Sequence, residues 1–134
     1  MHVRRANRDD APAIAALLAE SFEEFRARYT AAAFDATVLD TARVGKRIDE
    51  GPVWVALHGG ATVGTVSAVV KESGVYVRGM AVVPRARGLH AGRNLLDAVA
   101  EFAKSQNAPR LFLSTTPFLD RAISLYEQYG FQRR

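Results

Sequence analysis

The spacing of apolar residues along the chain predicts alternating strands and helices. Short apolar runs rich in β-branched residues predict five strands. These are residues 3–6, 53–57, 62–70, 75–83 and 111–115. Gly59-Gly60 predicts a tight hairpin turn between the second and third strands. Gly79 inside the fourth strand predicts a β-bulge or a close approach of another backbone.

Apolar residues that recur every three or four positions predict four helices. The first follows a cap at Asn7 or Asp9, and its apolar stripe is Ile14, Leu17, Leu18, Phe22 and Phe25. The others are predicted over about residues 31–49, 89–105 and 118–129. The element order β-α-α-β-β-β-α-β-α indicates a mixed α/β fold.

Composition is consistent with one globular domain over residues 1–134. The chain is 49% hydrophobic and 24% charged, enough apolar content for an ordinary core. It has no cysteine, which excludes disulfides, thiolate metal sites and a cysteine nucleophile. The N-terminus has no apolar signal region and no run reaches membrane-spanning length, so we expect a cytoplasmic protein without a membrane partner.

The net charge of +4 raises the question of nucleic acid as a partner. The arginines are scattered, and the strands carry Trp54 and Tyr76 without an array of aromatic and basic residues on one face. We therefore expect no nucleic-acid partner. The densest basic cluster, Arg85, Arg87 and Arg93, lies in one short loop and the helix start that follows it.

That loop has the features of an anion-binding site. It joins a strand ending at Pro84 to a helix, and a helix N-terminus offers unpaired N–H groups and partial positive charge to a phosphate. A Gly-x-x-x-x-Gly-Lys-Ser/Thr motif is absent, which excludes a P-loop there. The glycine pattern and the missing acidic residue also disfavour a dinucleotide-binding fold.

Residues 87–92, Arg-Gly-Leu-His-Ala-Gly, resemble the acyl-CoA pyrophosphate loop of the GNAT-type N-acetyltransferase superfamily. His90 stands where that family usually has its first glycine, and a side chain there is tolerated if φ is negative. A second segment, Ala122-Ile123-x-Leu125-Tyr126-Glu127-x-x-Gly130-Phe131, resembles the family's second hallmark. Leu119 stands where the family often has asparagine, so any cofactor contact of that asparagine is lost or replaced.

The resemblance implies a mostly antiparallel mixed sheet flanked by helices and acetyl-CoA as co-substrate. It also implies direct acetyl transfer to a small-molecule or peptide amine in a ternary complex. Tyr126 matches the general acid that protonates the leaving thiolate. Alternatively, Tyr126 is a core tyrosine on the stripe Leu119, Ala122, Ile123 and Tyr126. The residues implied in cofactor binding are Met80, Ala81, Val82, Arg87, Gly88, Leu89, His90, Ala91, Gly92 and Arg93.

Several questions stay open at this stage. A non-catalytic acyl-CoA sensor is the alternative function, and the presence of Tyr126 favours the enzyme. The general base is not assigned among Glu23, Glu24, His58 and Glu72. Histidine and carboxylate spacing predicts no metal site. The segment 21–49 matches the family's acceptor wall, and its aromatic residues with Arg26 and Arg28 suggest an acceptor with an apolar part and a carboxylate.

The family usually continues past the Gly-Phe pair with one or two strands that cover the last central strand, whereas this sequence ends at Arg134. We expect a truncation after Phe131, or else a partner chain or ligand over that edge, because exposed edges promote association. A homodimer is one arrangement that covers it.

Overall fold

A computed structural model describes residues 1–132 as a five-stranded sheet with helices on both faces. The strands are β1 His2–Arg5, β2 Val53–His58, β3 Ala61–Lys71, β4 Gly74–Val82 and β5 Leu111–Phe112. The helices are α1 Ala11–Phe22, α2 Ala31–Thr37, α3 Thr41–Glu50, α4 Ala91–Ser105 and α5 Asp120–Tyr129. The strands lie in chain order; β1 to β4 pair antiparallel and β5 pairs parallel to β4.

The predicted mixed, mostly antiparallel fold is confirmed. The Gly59-Gly60 hairpin turn is also confirmed, with φ of 57° and 81°. Asn7 is the N-terminal cap: it accepts from the Asp9 N–H at 2.9 Å, and Asp10 accepts from the Asn7 N–H at 2.8 Å. A 3₁₀ turn, Arg8–Asp10, separates this cap from α1.

The predicted second helix is wrong as a single element. Asp40 is extended (φ −76°, ψ 174°), and its carboxylate accepts from the Arg43 N–H at 2.9 Å, which starts α3 as a new helix. A side chain that satisfies the free N–H groups of a new first turn makes this division stable. The segment Glu23–Arg28, between α1 and α2, is a 3₁₀ helix.

The core lies between the sheet and the two helical layers. Ile14, Leu17 and Leu18 of α1 are buried on one face, and Leu95, Leu96 and Val99 of α4 are fully buried on the other. Phe102 of α4 is half-buried, with its ring 5.6 Å from Trp54. The predicted stripes of these two helices are therefore confirmed at most of their positions.

Three boundaries differ from the predictions near the C-terminal half. Helix α4 begins at Ala91 instead of residue 89, because Gly88 and His90 both have positive φ. Helix α5 begins at Asp120 instead of residue 118, after a turn in which the Leu119 N–H donates to the Thr116 carbonyl. Strand β5 ends at Phe112 instead of residue 115. The predicted truncation after Phe131 concerns residues that lie outside the described range.

Candidate functional site

The short pairing of β5 opens a gap in the sheet. Only Val75–Leu111 and Tyr76–Phe112 pair between β4 and β5, while β4 continues to Val82. Met80, Ala81 and Val82, which the resemblance implies in cofactor binding, lie on the part of β4 beyond this pairing. Ala81 is buried, and the other two are half-buried.

A β-bulge accompanies the separation of the two strands. Arg78 pairs with Ser67 and Ala81 with Thr65, so Gly79 and Met80 oppose the single residue Val66. Gly79 has φ of 66°, a conformation that favours glycine. The bulge predicted at Gly79 is confirmed, and since bulges bend their strand, it explains why β5 stops pairing early.

The loop after β4 leaves a group of backbone donors free. Pro84–Ala86 forms a 3₁₀ turn that uses the N–H groups of Ala86, Arg87 and Leu89. Between Gly88 and the first turn of α4, another five N–H groups have no hydrogen-bond partner among residues 1–132. They belong to Gly88, His90, Ala91, Gly92 and Arg93. The last three form the first turn of α4, where the helix dipole also favours an anion.

His90 differs from the expectation of a negative φ. It is the residue before α4, with φ of 62° and ψ of 21°, and its side chain makes no capping hydrogen bond. A left-handed conformation costs a non-glycine residue about 1–2 kcal/mol. The backbone therefore requires a conformation for which glycine is best suited, although histidine occupies it.

We expect His90→Gly to raise the free energy of unfolding by about 0.5–1 kcal/mol. Relief of the left-handed strain exceeds the extra chain entropy of glycine, about 0.5–1 kcal/mol. Urea unfolding measures the difference, with His58→Gly in the β2–β3 hairpin as the control, since His58 does not have positive φ. A destabilised His90→Gly variant would contradict the strain assignment.

The loop arginines differ in their partners. Arg85 Nε lies 3.0 Å from a Glu20 carboxylate oxygen, and the Arg87 guanidinium contacts Glu24. Arg93 is exposed and has no ion pair with any residue in the described range. Sequence reasoning missed Glu20 and considered Glu24 only as a candidate base, because pairs more than 60 positions apart leave no periodic signal. Arg93 is thus the free cation beside the N–H groups.

The structure gives Gly92 a packing role that its motif position does not reveal. A Cβ on Gly92 would lie 2.6 Å from Cδ2 of Leu125, so the absent side chain lets α5 approach α4. The predicted apolar stripe of α5 is partly wrong. Leu125 and Tyr129 pack against the core together with Ala122 and Tyr126, whereas Ile123 lines an open groove.

Tyr126 is the buried residue of α5, with 8% of its surface exposed. Its ring packs at 5.9 Å against Phe131, and it borders a groove of about 810 Å³ along β5. Burial raises the pKa of Tyr126 to about 12. Its hydroxyl makes no hydrogen bond to any described residue, whereas the Tyr129 hydroxyl donates to Asp97 at 2.7 Å. Tyr126 therefore keeps a neutral phenol with an unused donor.

The predicted acceptor wall forms an aromatic cluster. The Tyr29 ring lies 5.1 Å from Phe118, 6.0 Å from Phe34 and 6.3 Å from Phe22. Phe118 lies just before α5, so the cluster joins the 21–49 segment to the β5–α5 connection. The Arg26 guanidinium donates to the Glu23 carboxylate and stacks on the Phe34 ring, so it is already paired within this segment.

The candidate general bases are separated by the fold. Glu23 and Glu24 are committed to Arg26 and Arg87. Glu72 follows β3, at the end of the sheet where Lys71 pairs with Gly74. At about 3.3 Å per residue, that end lies about 26 Å along β4 from Val82. This distance excludes Glu72 as the general base. The positions of the other three candidates do not assign any of them as the base.

The described residues form neither a membrane-spanning helix nor a cluster of metal ligands. No helix within residues 1–132 is both long and apolar enough to cross a bilayer. In the same range, no three histidine or carboxylate side chains are grouped as metal ligands would be.

Comparison with known proteins identifies the class. The family model described as "Acetyltransferase (GNAT) family" matches residues 11–131. The chain is 32% identical over 140 aligned positions to the uncharacterized N-acetyltransferase YhfO of Bacillus subtilis, covering 98% of this chain and 90% of that protein. It is 36% identical over 89 positions to a probable N-acetyltransferase, family 8 member 5, of Mus musculus. This second match covers 62% of the chain and 39% of the mouse protein.

The fold agrees with a solved structure. The chain is similar to the PaiA N-acetyltransferase of Thermoplasma acidophilum, solved in complex with coenzyme A, with a TM-score of 0.88. The match covers 99% of this chain and 90% of that one, at 13% identity. The chain belongs to the GNAT family of acetyltransferases, the enzymes that use acetyl-CoA as acetyl donor.

Proposed function

We propose that this chain, as a single acyltransferase domain, transfers an acetyl group from acetyl-CoA to an amine acceptor. The observation that carries the proposal is the set of five free N–H groups at the start of α4, beside the unpaired Arg93. Such an array fits a pyrophosphate, because each N–H satisfies an oxygen without a counter-charge being displaced.

The gap between β4 and β5 supports the position of the reacting end. Met80 belongs to the bulge, and Ala81 and Val82 follow it and lead to the phosphate loop. One extended acetyl-CoA molecule can therefore contact this part of β4 and the loop. A backbone N–H there polarises the thioester carbonyl as negative charge develops on its oxygen. The amine forms a C–N bond, the C–S bond breaks, the amine loses a proton and the thiolate gains one.

Tyr126 is proposed as the group that meets the leaving thiolate. With a pKa of about 12 against about 8.5 for a thiol, complete proton transfer from the tyrosine is uphill by about 5 kcal/mol. Its main contribution is therefore a hydrogen bond that strengthens as charge forms on sulfur. This differs from the role of general acid that the resemblance implies, because burial moves the pKa of the phenol further from that of the thiol. The unpartnered hydroxyl favours the enzyme over a non-catalytic sensor.

Thiol release from acetyl-CoA, followed across amines, polyamines, amino acids and peptides, tests the function. We expect turnover with at least one class and mass-spectrometric detection of its N-acetyl product. Binding of acetyl-CoA with no product from any class would favour the sensor instead. A cytoplasmic location and a homodimer remain predictions from the sequence.

A further inference from the structure

Two arginines lie near the β-bulge on the sheet face that α1 covers. Arg47 lies in the last turn of α3, and one of its terminal nitrogens is 2.7 Å from the place a Cβ on Gly79 would occupy. Arg78 is the neighbour of Gly79 on β4, and Ser67 Oγ donates to the Arg78 carbonyl at 3.0 Å. The glycine thus admits the Arg47 guanidinium directly over the bulge.

Neither arginine has a carboxylate partner among the described residues. Arg78 Nε is fully buried without a hydrogen bond, and no ion pair within 4 Å involves Arg47 or Arg78. Glu50, on the same helix as Arg47, offers only a weak attraction. The other unpaired arginines of the described range are exposed, and six arginines are paired with aspartate or glutamate at distances up to 3.4 Å. They are Arg4, Arg8, Arg26, Arg43, Arg85 and Arg87.

The two unpaired charges also act on each other. Both side chains are half-buried, and the pKa of Arg47 is lowered by its burial and by the charge of Arg78. Two like charges held near each other by a strand and a helix, with no carboxylate within ion-pair distance, destabilise the free protein. An anion bound between them would remove that cost, and a planar guanidinium matches a carboxylate with two parallel hydrogen bonds.

The position of the pair relates it to the transfer site. Arg78 precedes Met80 by two residues, about 7 Å along the strand. The cavity that Arg47 shares with Ser67 and Gly79 has only about 10 Å³ of free space, too little for more than a water. The ligand is thus expected to lie over the guanidinium groups, towards Met80, and not beneath them.

We propose that Arg47 and Arg78 bind the carboxylate of the acceptor, which makes the acceptor an amine that carries a carboxylate a few bonds away, such as an amino acid. This inference rests on the proposed acetyl transfer. It moves the carboxylate-binding role away from Arg26 and Arg28. Arg26 is paired with Glu23, and the Arg28 guanidinium lies 5.5 Å from the centre of the Phe118 ring.

The test compares amino acids with their amides in the full chain. Thiol release from acetyl-CoA is measured with leucine, phenylalanine and glutamine and with the matching carboxamides, and the ratio of kcat/KM within each pair is the readout. We expect the wild type to favour at least one free acid by about 10-fold or more, since hydrogen bonds to a charged group are worth this much. The amide has the less basic amine, a bias that works against this result.

Arg47→Gln and Arg78→Gln are expected to bring the ratio close to one, mainly through KM, and Arg47→Lys to restore part of it. Lys46→Gln is the matched control, because Lys46 is the exposed neighbour on α3 and makes no hydrogen bond or ion pair with a described residue. It should keep the wild-type ratio. Melting temperatures verify folding, and Arg47→Gln is expected to melt at or above the wild-type temperature because repulsion is relieved.

Binding without turnover separates this inference from the proposed function. The preferred amino acid, or each of the three acids if no amine is acetylated, is titrated against the wild type and Arg47→Gln by calorimetry. Loss of binding in Arg47→Gln supports the site even where acetyl transfer fails. Equal ratios in wild type and Arg47→Gln, or equal binding, overturn it. A wild-type preference for succinyl-CoA over acetyl-CoA that disappears in Arg47→Gln also overturns it, by giving the carboxylate to the acyl donor.

Discussion

Tyr126→Phe is expected to lower turnover by about 10²–10³-fold, the usual loss when a hydrogen-bond donor to a developing negative charge is removed. The ring and its contact with Phe131 remain, and the lost hydroxyl has no partner among the described residues, so the free energy of unfolding should not fall. Acetyl-CoA affinity should change far less than turnover, because the hydroxyl acts mainly as the thiolate forms. Steady-state kinetics, calorimetry and urea unfolding on one preparation measure the three effects.

The raised pKa of Tyr126 adds a pH criterion. A phenol with a pKa of about 12 stays protonated as the pH rises from 6 to 10, so the deficit of Tyr126→Phe should be constant over that range. Tyr129→Phe is the matched control on the same helix. Its hydroxyl bonds to Asp97, so it should lose about 0.5–1.5 kcal/mol of stability and retain turnover. Wild-type turnover in Tyr126→Phe would show that another group stabilises the leaving thiolate.

Acetyl-CoA at about 100 times its dissociation constant is expected to stabilise the wild type by about 2.7 kcal/mol. For a chain of this length that corresponds to a rise in melting temperature of roughly 8–10 °C. Arg93→Glu should weaken the affinity by about 10–100-fold, because a cation beside the free N–H groups becomes an anion. The affinity of the wild type should also fall as salt screens the attraction.

Lys104→Glu is the control for this charge reversal. It lies in the last turn of the same helix, far from the loop, so its ligand-induced shift should equal that of the wild type. Each shift is measured against the same variant without acetyl-CoA, which removes the intrinsic effect of the substitution. An equal shift in Arg93→Glu, or none in the wild type, would be evidence against the phosphate loop.

Local sequence signals predicted the elements that depend on residues close to one another in the sequence. Periodic apolar residues located α1 and α4, the glycine pair located the hairpin turn, and Gly130 ends α5 in the left-handed conformation with φ of 116°. Gly79 likewise marked the bulge. In each case the residue type and the backbone conformation are linked within a few positions.

Features that depend on distant contacts were not predictable in this way. The apolar pattern of 111–115 continues beyond Phe112, but strand pairing ends there because β4 bends at the bulge. Asp40 divides the second helical segment although the apolar spacing continues through it. The core face of α5 was predicted to carry Leu119 and Ile123, but it carries Leu125 and Tyr129. The contact between Leu125 and Gly92 accounts for this difference.

The candidate site shows the same division. The family motifs identified the loop and Tyr126, but neither the sign of φ at His90 nor the pairing of Arg87 with Glu24 follows from them. Arg47 and Arg78 belong to no motif, and their proximity depends on how α3 lies on the sheet. The one local signal was Arg78, a charged residue that directly follows the apolar run Val75-Tyr76-Val77.

The contacts of Arg85 with Glu20 and of Arg87 with Glu24 connect the phosphate loop to α1 and the 3₁₀ segment after it, where the acceptor wall begins. A phosphate that binds the Arg87 guanidinium competes with Glu24 for it. Binding of acetyl-CoA and binding of the acceptor are then thermodynamically linked. Acetyl-CoA changes the affinity for the acceptor by the same factor by which the acceptor changes the affinity for acetyl-CoA. An exposed pair is worth about 0.2–1 kcal/mol, so this linkage amounts to at most about fivefold in either dissociation constant.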